Sequence, residues 1–342
     1  MWTQVRTARE GMLAEVHEPS PGPWFADGVM TALGRAVGFD GYCLFGVDPV
    51  TQLRSVMFSI NSLTSSAERL YDNETTVCDA NRYSDLARGR MHAGVLAAGA
   101  ATEPTSPRLH EMLRPDGFTS ELRLALVSGG RYWGAVSLFR DSSRHPFVEA
   151  DAQIANELSE PLSLAIRRYQ VGWPGAPAGP AADGVVVFDR SGQALAASVE
   201  AKAWMAALAQ SWPGGAQAED FERPVIEAAR AAYETRNATV CRVRVPAGGW
   251  LAISATHVEH DDGGVVAVLR AGDPATVAPA FAALCGFTAA EDRVLAELAT
   301  GAAAKQIARR LRLSVLTIND HLASMYRKAG VRGRSELASL LS

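Results

Sequence analysis

The chain has 342 residues, 48% of them hydrophobic and 20% charged, with a formal net charge of −4. This balance is ordinary for globular protein and excludes wholesale disorder, and at roughly 100–200 residues per domain the length predicts two or three domains. No apolar run reaches the roughly 18 residues that a membrane span needs, and the N-terminus has no signal-peptide core, so a cytoplasmic protein without a membrane partner is expected. The charge is unevenly spread. Residues 287–342 hold nine Lys and Arg against five Asp and Glu, while the rest of the chain holds 24 against 32. A basic C-terminal part on an acidic body is the pattern of a protein that meets phosphate with one part only.

In chain order, the apolar spacing of Trp24–Val37 predicts a helix ending near Gly38. Tyr42–Val47 and Val56–Ile60 read as strands around the turn DPVTQ. The stretch 61–105 is long and irregular and is expected to act as a pocket lid. Ser106 and Pro107 suit the cap and first position of a helix. Glu121–Val127 and Tyr132–Phe139 form a hairpin about Ser128-Gly129-Gly130. Leu122, Leu124 and Leu126 share one face, and the second strand, apolar on both faces, is expected to be covered on both sides. A single long amphipathic helix is predicted over about Val148–Tyr169.

Residues 172–182 and 271–280 are rich in Pro and Gly or Ala and read as linkers, the second less clearly. Between them, GVVVFDRSGQALAAS reads as strand, turn and strand. Helices near Glu200–Ala209 and Phe221–Arg236 follow, then strands at Thr239–Val245, Trp250–His257 and Gly264–Arg270. The sequence contains no internal repeat.

The C-terminal stretch carries the strongest signals. Thr288 and Glu291 have the spacing of a capping box. Val294, Leu295 and Leu298 form an apolar stripe that Gly301 ends. Lys305–Leu311 makes a short helix with Ile307 and Leu311 inward, and Ser314 can cap the next helix. In that third helix Val315, Ile318, Leu322 and Met325 fall on one side and are expected in the core. Leu316, Asp320, Ala323 and Arg327 fall opposite, with Asn319 and Ser324 at the edges, a face free to enter a DNA major groove.

This module resembles the LuxR-type helix-turn-helix. The resemblance is carried in register by Thr288, Glu291, Val294, Leu295, Gly301, Lys305, Ile307, Ala308, Leu311, Ser314, Thr317, His321, Leu322, Lys328, Gly330, Val331 and Arg334. It implies an all-α four-helix unit whose third helix reads double-stranded DNA. By position, Asn319, Asp320 and Ala323 would face bases, with Leu316 near a thymine methyl. Lys305, Thr317 and some of Arg309, Arg310, Arg312, Arg327 and Lys328 would serve phosphates, with Ser314 at the same surface. The fourth helix, about Ser335–Leu341, would help form a homodimer on inverted half-sites. Many members have Lys where Leu316 and Asn319 stand, which predicts weaker nonspecific binding here and a distinct recognition sequence. Ala303 replaces the usual Ser cap of the second helix, at a cost of about 1 kcal/mol.

LRPDGFTSELRLAL and GRYWGAVSLFR, with their element order, resemble a GAF sensor domain over roughly residues 20–170. The middle order of two strands, helices and three strands resembles a PAS domain. The expected fold is therefore α+β sensory domains, GAF-like over 1–171 and PAS-like over 183–272, followed by the all-α helix-turn-helix over 287–342. The resemblance implies a small-molecule effector in the first domain, with Tyr42, Leu44, Phe58, Leu124, Tyr132 and Trp133 as candidate liners.

No G-x-x-x-x-G-K-[ST] or G-x-S-x-G is present, and His257 and His260, three apart in a strand, point to opposite faces. Cys43, Cys78, Cys241 and Cys285 form no C-x-x-C and read as buried apolar residues. No enzyme, metal site or cofactor is expected. The sequence thus points to a transcription regulator governed by an effector, with control through a protein partner alone as the alternative. RNA polymerase is a further candidate partner.

Overall fold

The computed structural model describes residues 2–17, 24–63, 67–77, 79–97, 99, 106–172, 179–180, 182–209, 219–245, 248–259 and 264–341. The chain divides into two compact units. The first comprises Met1–Val47, Val56–Tyr169 and Trp212–Arg223, and the second Asp48–Ser55, Gln170–Ser211 and Pro224–Ser342.

The first domain begins with α1 (Trp2–His17) and α2 (Trp24–Ala36). The spacing of Phe25, Val29, Met30 and Leu33 buries one face of α2 as expected. α1 was not legible, because Ala8 and Met12 are its only fully buried apolar side chains among the described residues. β1 (Gly41–Val47) and β2 (Arg54–Ile60) follow. The stretch expected to be irregular contains α3 (Ala67–Thr75), α4 (Tyr83–Arg88) and β3 (Ala93–Ala97), while residues 64–66, 78, 98 and 100–105 of it lie outside the described residues. A π-helical turn at Leu109–Leu113 leads into the hairpin of β4 (Phe118–Ser128) and β5 (Arg131–Asp141).

The predicted single long helix is two, α5 (Glu149–Asn156) and α6 (Ser159–Val171). The break has a cause in the sheet. The β3–β4 ladder ends at the pair Ala93 and Leu124, and past that end Ser159 bonds the β4 backbone. Its Oγ accepts from Val127 N at 3.0 Å and donates to Ala125 O at 2.7 Å. The sheet order is β2-β1-β5-β4-β3.

On one sheet face Phe58 packs against Phe25 of α2 and Tyr169 of α6, with ring centroids 5.8 and 5.2 Å away. The other face buries charge. Glu121 Oε2 accepts from Arg108 Nε at 2.7 Å, and Oε1 accepts from Arg123 Nε at 3.0 Å and from Ser137 Oγ at 2.5 Å. Arg108 also donates to Asn73 Oδ1 and to Ala80 O, at 3.1 and 2.8 Å. Arg123 reaches Glu74 at 2.9 Å and lies 4.4 Å from the Tyr83 ring centroid. Burial pushes the Glu121 carboxyl up, but the two guanidinium groups and Ser137 outweigh it and hold its pKa at about 2.

The second domain contains β6 (Gly184–Asp189), β7 (Ala194–Ala197), α7 (Val199–Ala209), α8 (Glu219–Thr235), β8 (Thr239–Arg244), β9 (Trp250–Val258) and β10 (Gly264–Ala271). Their order is β7-β6-β10-β9-β8. Counted within its own sheet, each domain therefore runs 2-1-5-4-3, a shared topology without a sequence repeat. Gly184 is required where β6 meets α7, since a Cβ there would collide with the Ala201 backbone.

Residues 271–280 are not a linker. Asp273 caps α9 (Pro274–Cys285) by accepting from Ala275 N and Thr276 N, both at 3.0 Å, and Pro274 takes the first helical position. The run that reads as Pro- and Ala-rich is a helix start followed by a buried apolar helix containing Val277, Phe281 and Leu284. The other predicted linker, 172–182, lies mostly outside the described residues. Four further helices close the chain, α10 (Ala289–Ala299), α11 (Ala304–Leu311), α12 (Val315–Ala329) and α13 (Arg334–Leu340).

Replacing Glu121 by Ala leaves two buried guanidinium groups without their shared anion, and is expected to lower unfolding free energy by about 3–5 kcal/mol, read from urea midpoints at unchanged slope. In the wild type the stabilisation from Glu121 is complete above its ordinary pKa of 4.5 and is lost as pH falls toward about 2.

Candidate nucleic-acid interface

The four C-terminal helices close on Val294, Leu295, Leu298, Ile307, Ile318, Leu322, Met325 and Leu337, all buried. α10 starts with the expected reciprocal cap. Thr288 Oγ1 accepts from Glu291 N at 3.3 Å, and Glu291 Oε2 accepts from Thr288 N at 2.7 Å. At α11 only half of such a box survives, because Ala303 offers no oxygen. Gln306 Oε1 still accepts from Ala303 N at 2.8 Å.

α11 ends at Arg312, which adopts φ 56° and ψ 43° to reverse the chain. This left-handed conformation is usually glycine's and makes the turn that sets α12 across α11. Ser314 then caps α12, its Oγ accepting from Thr317 N at 3.0 Å and bonding Thr317 Oγ1 at 2.8 Å.

The face of α12 opposite the core is open. Leu316 is 72% exposed, and Asn319, Asp320, Ala323 and Arg327 are exposed along the same side. Thr317 and His321 are half-buried. Ile318, Leu322 and Met325 are buried as expected, but Val315 is 40% exposed, because the first residue of the helix precedes the point where α12 meets its neighbours. Leu313, at 38% exposure, joins Val315 and Leu316 in a small apolar patch at this end. Lys305, Arg309 and Arg312 are exposed.

Two cations expected at phosphate are engaged inside the module. Lys328 Nζ donates to Glu291 Oε2 at 2.6 Å. Arg310 Nη1 donates to Glu297 Oε2 at 2.6 Å. Burial raises the Glu291 pKa, but Lys328, the Thr288 amide and Ser324 outweigh it and hold the carboxyl at about 2. The sequence pattern identified Glu291 as a local cap. Its second partner lies 37 residues away and had no local signal.

The module is seated within the second unit at both of its ends. Phe281 of α9 meets Phe287 edge-on, with centroids 5.9 Å apart. At the other end the Leu340 carbonyl, one of the last-turn acceptors of α13, takes Trp250 Nε1–H at 2.7 Å and Arg244 Nη1–H at 3.1 Å. Arg244, Trp250, Leu340 and Leu341 are all buried. Sequence reasoning missed this seat.

Of the six candidate effector liners, Tyr132 lies apart from the other five. Strand register aligns Leu44, Val136 and Leu124, and likewise Tyr42 and Leu138, on one face of the first sheet. Phe58 is in the aromatic cluster of α2 and α6, and Trp133 lies under Arg167 of α6, 4.1 Å from ring centroid to guanidinium. Tyr132 packs on the opposite face, with Phe45, Met57 and Tyr83. The same two sides account for the expected covering of β5, whose Trp133–Phe139 stretch is buried throughout. Among the described residues no group of His, Cys, Asp and Glu could hold a metal ion.

Lys328→Met is expected to destabilise the module and flatten its acid unfolding limb. The Glu291 contribution is complete above the ordinary 4.5 and is lost as pH falls toward about 2, so wild type and variant converge at the acid end of a pH series of melts. Ala303→Ser restores the missing cap acceptor of α11 and should stabilise by about 0.5–1 kcal/mol in denaturant titrations.

Among solved structures, the chain is similar to Escherichia coli SdiA, with 14% identity over 97% of this chain and 94% of that one and a TM-score of 0.30. It is also similar to the biliverdin-bound, far-red-absorbing JSC1_58120g3, with 15% identity over 46% of this chain and 97% of that one and a TM-score of 0.32. A third likeness is to VqmA of Vibrio cholera, solved as a ligand–DNA complex, with 20% identity over 46% of this chain and 80% of that one and a TM-score of 0.22. No protein of curated function matches the chain. Residues 286–341 match the bacterial regulatory proteins of the luxR family, and with the cap, turn and open helix face described above they constitute a luxR-family DNA-binding domain.

Proposed function

We propose that the chain is a sequence-specific transcription regulator that binds double-stranded DNA as a two-fold homodimer and is controlled by a ligand or partner sensed by its two α+β domains. The observation that carries the reading is the open face of α12, with Leu316, Asn319, Asp320 and Ala323 exposed in one row and Lys305, Arg309, Arg312 and Arg327 exposed around it. A helix of this width fits the major groove, where Asn can bond adenine, a carboxylate can accept from cytosine N4, and an apolar tip can touch a thymine methyl. The exposed cations meet phosphate and fix register. A two-fold dimer would read half-sites about ten base pairs apart. Nothing in the reading needs a catalytic step. Among the described residues no helix is long and apolar enough to cross a membrane.

Control through a protein partner is a second reading with one supporting observation. Among the described residues β7 is an edge strand of the second sheet, with Leu195 in it 65% exposed and Val199, at the start of α7, 79% exposed.

Selection of binding sites from random duplexes followed by gel shift tests the proposal. A palindromic site should emerge. Asp320→Ala should raise nonspecific affinity and relax discrimination at one base pair per half-site by about 1–3 kcal/mol. Lys305→Ala should instead weaken all sequences alike and reduce the salt slope by about 1. A preference unmoved by Asp320→Ala would remove that residue from base reading.

A further inference from the structure

The luxR-family module keeps its large apolar side chains buried or half-buried, apart from one cluster. Among its described residues the exposed ones are Leu313, Val315 and Leu316, at 38%, 40% and 72%. They surround Ser314, whose Oγ caps α12, so the cluster stands at the N-terminal end of that helix.

The helical period puts Leu316 in the middle of the open face of α12, in line with Ala323 and one turn before Asn319 and Asp320. Val315 falls at the edge of the same face, on the side of Asn319. Leu313 precedes the helix and follows the exposed Arg312. None of the three side chains carries a donor or an acceptor. A helix-turn-helix sets the N-terminal residues of its reading helix against base edges. Of the groups that the major groove displays, the thymine C5 methyl alone is apolar. The others are hydrated donors and acceptors, and an apolar side chain that covers one removes its water without returning a bond.

We propose that Leu316, flanked by Val315 and Leu313, reads the C5 methyl group of a pyrimidine, and that the protein therefore responds to cytosine C5 methylation as well as to base sequence. The patch detects the methyl group and not the base that bears it, because thymine and 5-methylcytosine hold that group at the same place on the groove edge. Thymine is then preferred to uracil, and 5-methylcytosine to cytosine, by one common factor at the position under Leu316. Burial of one methyl group corresponds to about fourfold in affinity. Duplex DNA, and not a protein, is the occupant that the geometry favours, since the patch is continuous with the open face of the DNA-binding helix and adjoins Arg312.

The inference deepens the proposed function, names a chemical feature of its DNA, and rests on it. In the selected site, each thymine of one half-site is replaced in turn by deoxyuridine, which removes the methyl group and keeps every hydrogen-bonding group. At the sensitive position, duplexes carrying thymine, uracil, cytosine and 5-methylcytosine are compared by gel shift with the full chain. Thymine should bind about fourfold more tightly than uracil, and 5-methylcytosine more tightly than cytosine by the same factor. Leu316→Ala should bring both ratios close to one without changing the melt of the free protein, since the side chain is exposed. Leu316→Met, still apolar, should keep both preferences. A selected site in which no thymine is sensitive to uracil overturns this inference and leaves the proposed function standing. A methyl preference that survives in Leu316→Ala overturns it, as does a patch that docks a protein, for which Leu316→Ala leaves all four duplexes unchanged. Preference for thymine over uracil without the matching preference for 5-methylcytosine overturns the response to methylation. Failure to select any site overturns the proposed function, and this inference with it.

Discussion

The Glu291 carboxylate is the joint on which the DNA-binding module turns. One of its oxygens satisfies the orphan amide at the start of α10 and also holds Lys328, near the end of α12. A buried carboxylate must be fully bonded to remain charged, and here the groups that bond it belong to two helices crossing at the core. The pair fixes the seating of α12 on α10, and the direction in which Asn319 and Asp320 point follows from that. Lys328 is thus engaged inside the module, whereas Lys305, Arg309, Arg312 and Arg327 are exposed on its surface.

A similar logic of satisfied backbone groups fastens the module to the rest of its unit. The last carbonyls of a helix need partners when they are buried. For α13 the partners of Leu340 come from β8 and β9, through Arg244 and Trp250. Gly172 leaves room for that guanidinium, since a Cβ at this position would strike Arg244. The start of the module is held by α9, which is a buried helix instead of a flexible tether. A helix terminus bonded to a sheet and a packed helix at the entry make the module continuous with the second domain in packing terms.

The two sheets show how one topology takes different contents. Both run 2-1-5-4-3. In the first, the face away from α2 and α6 is filled by Glu121, Arg108, Arg123 and their partners, a network whose charges are mutually bonded. In the second, the inner face ends in a cleft over Phe188 and Val265.

The sequence by itself determined whatever depends on neighbours a few residues apart. Caps such as Thr288 with Glu291, the buried stripe of Ile318, Leu322 and Met325, the hairpin at Gly129–Gly130 and the open face of α12 were all legible, because helix and strand periods place these residues without knowledge of the fold. Tertiary structure decided the rest. Glu121 and Arg123 alternate with Leu122 and Leu124 as a solvent-facing row would, yet they are buried, because Arg108 arrives from elsewhere in the chain to neutralise them. Asp273-Pro274 reads as loop chemistry, yet it opens a helix, because α9 has a core to enter. The predicted helix of residues 148–169 breaks next to Ser159, whose hydroxyl bonds the β4 backbone past the end of the β3–β4 ladder. The engagement of Lys328 with Glu291, and of Leu340 with Trp250, joins residues 37 and 90 positions apart, and no local period encodes a contact of that span.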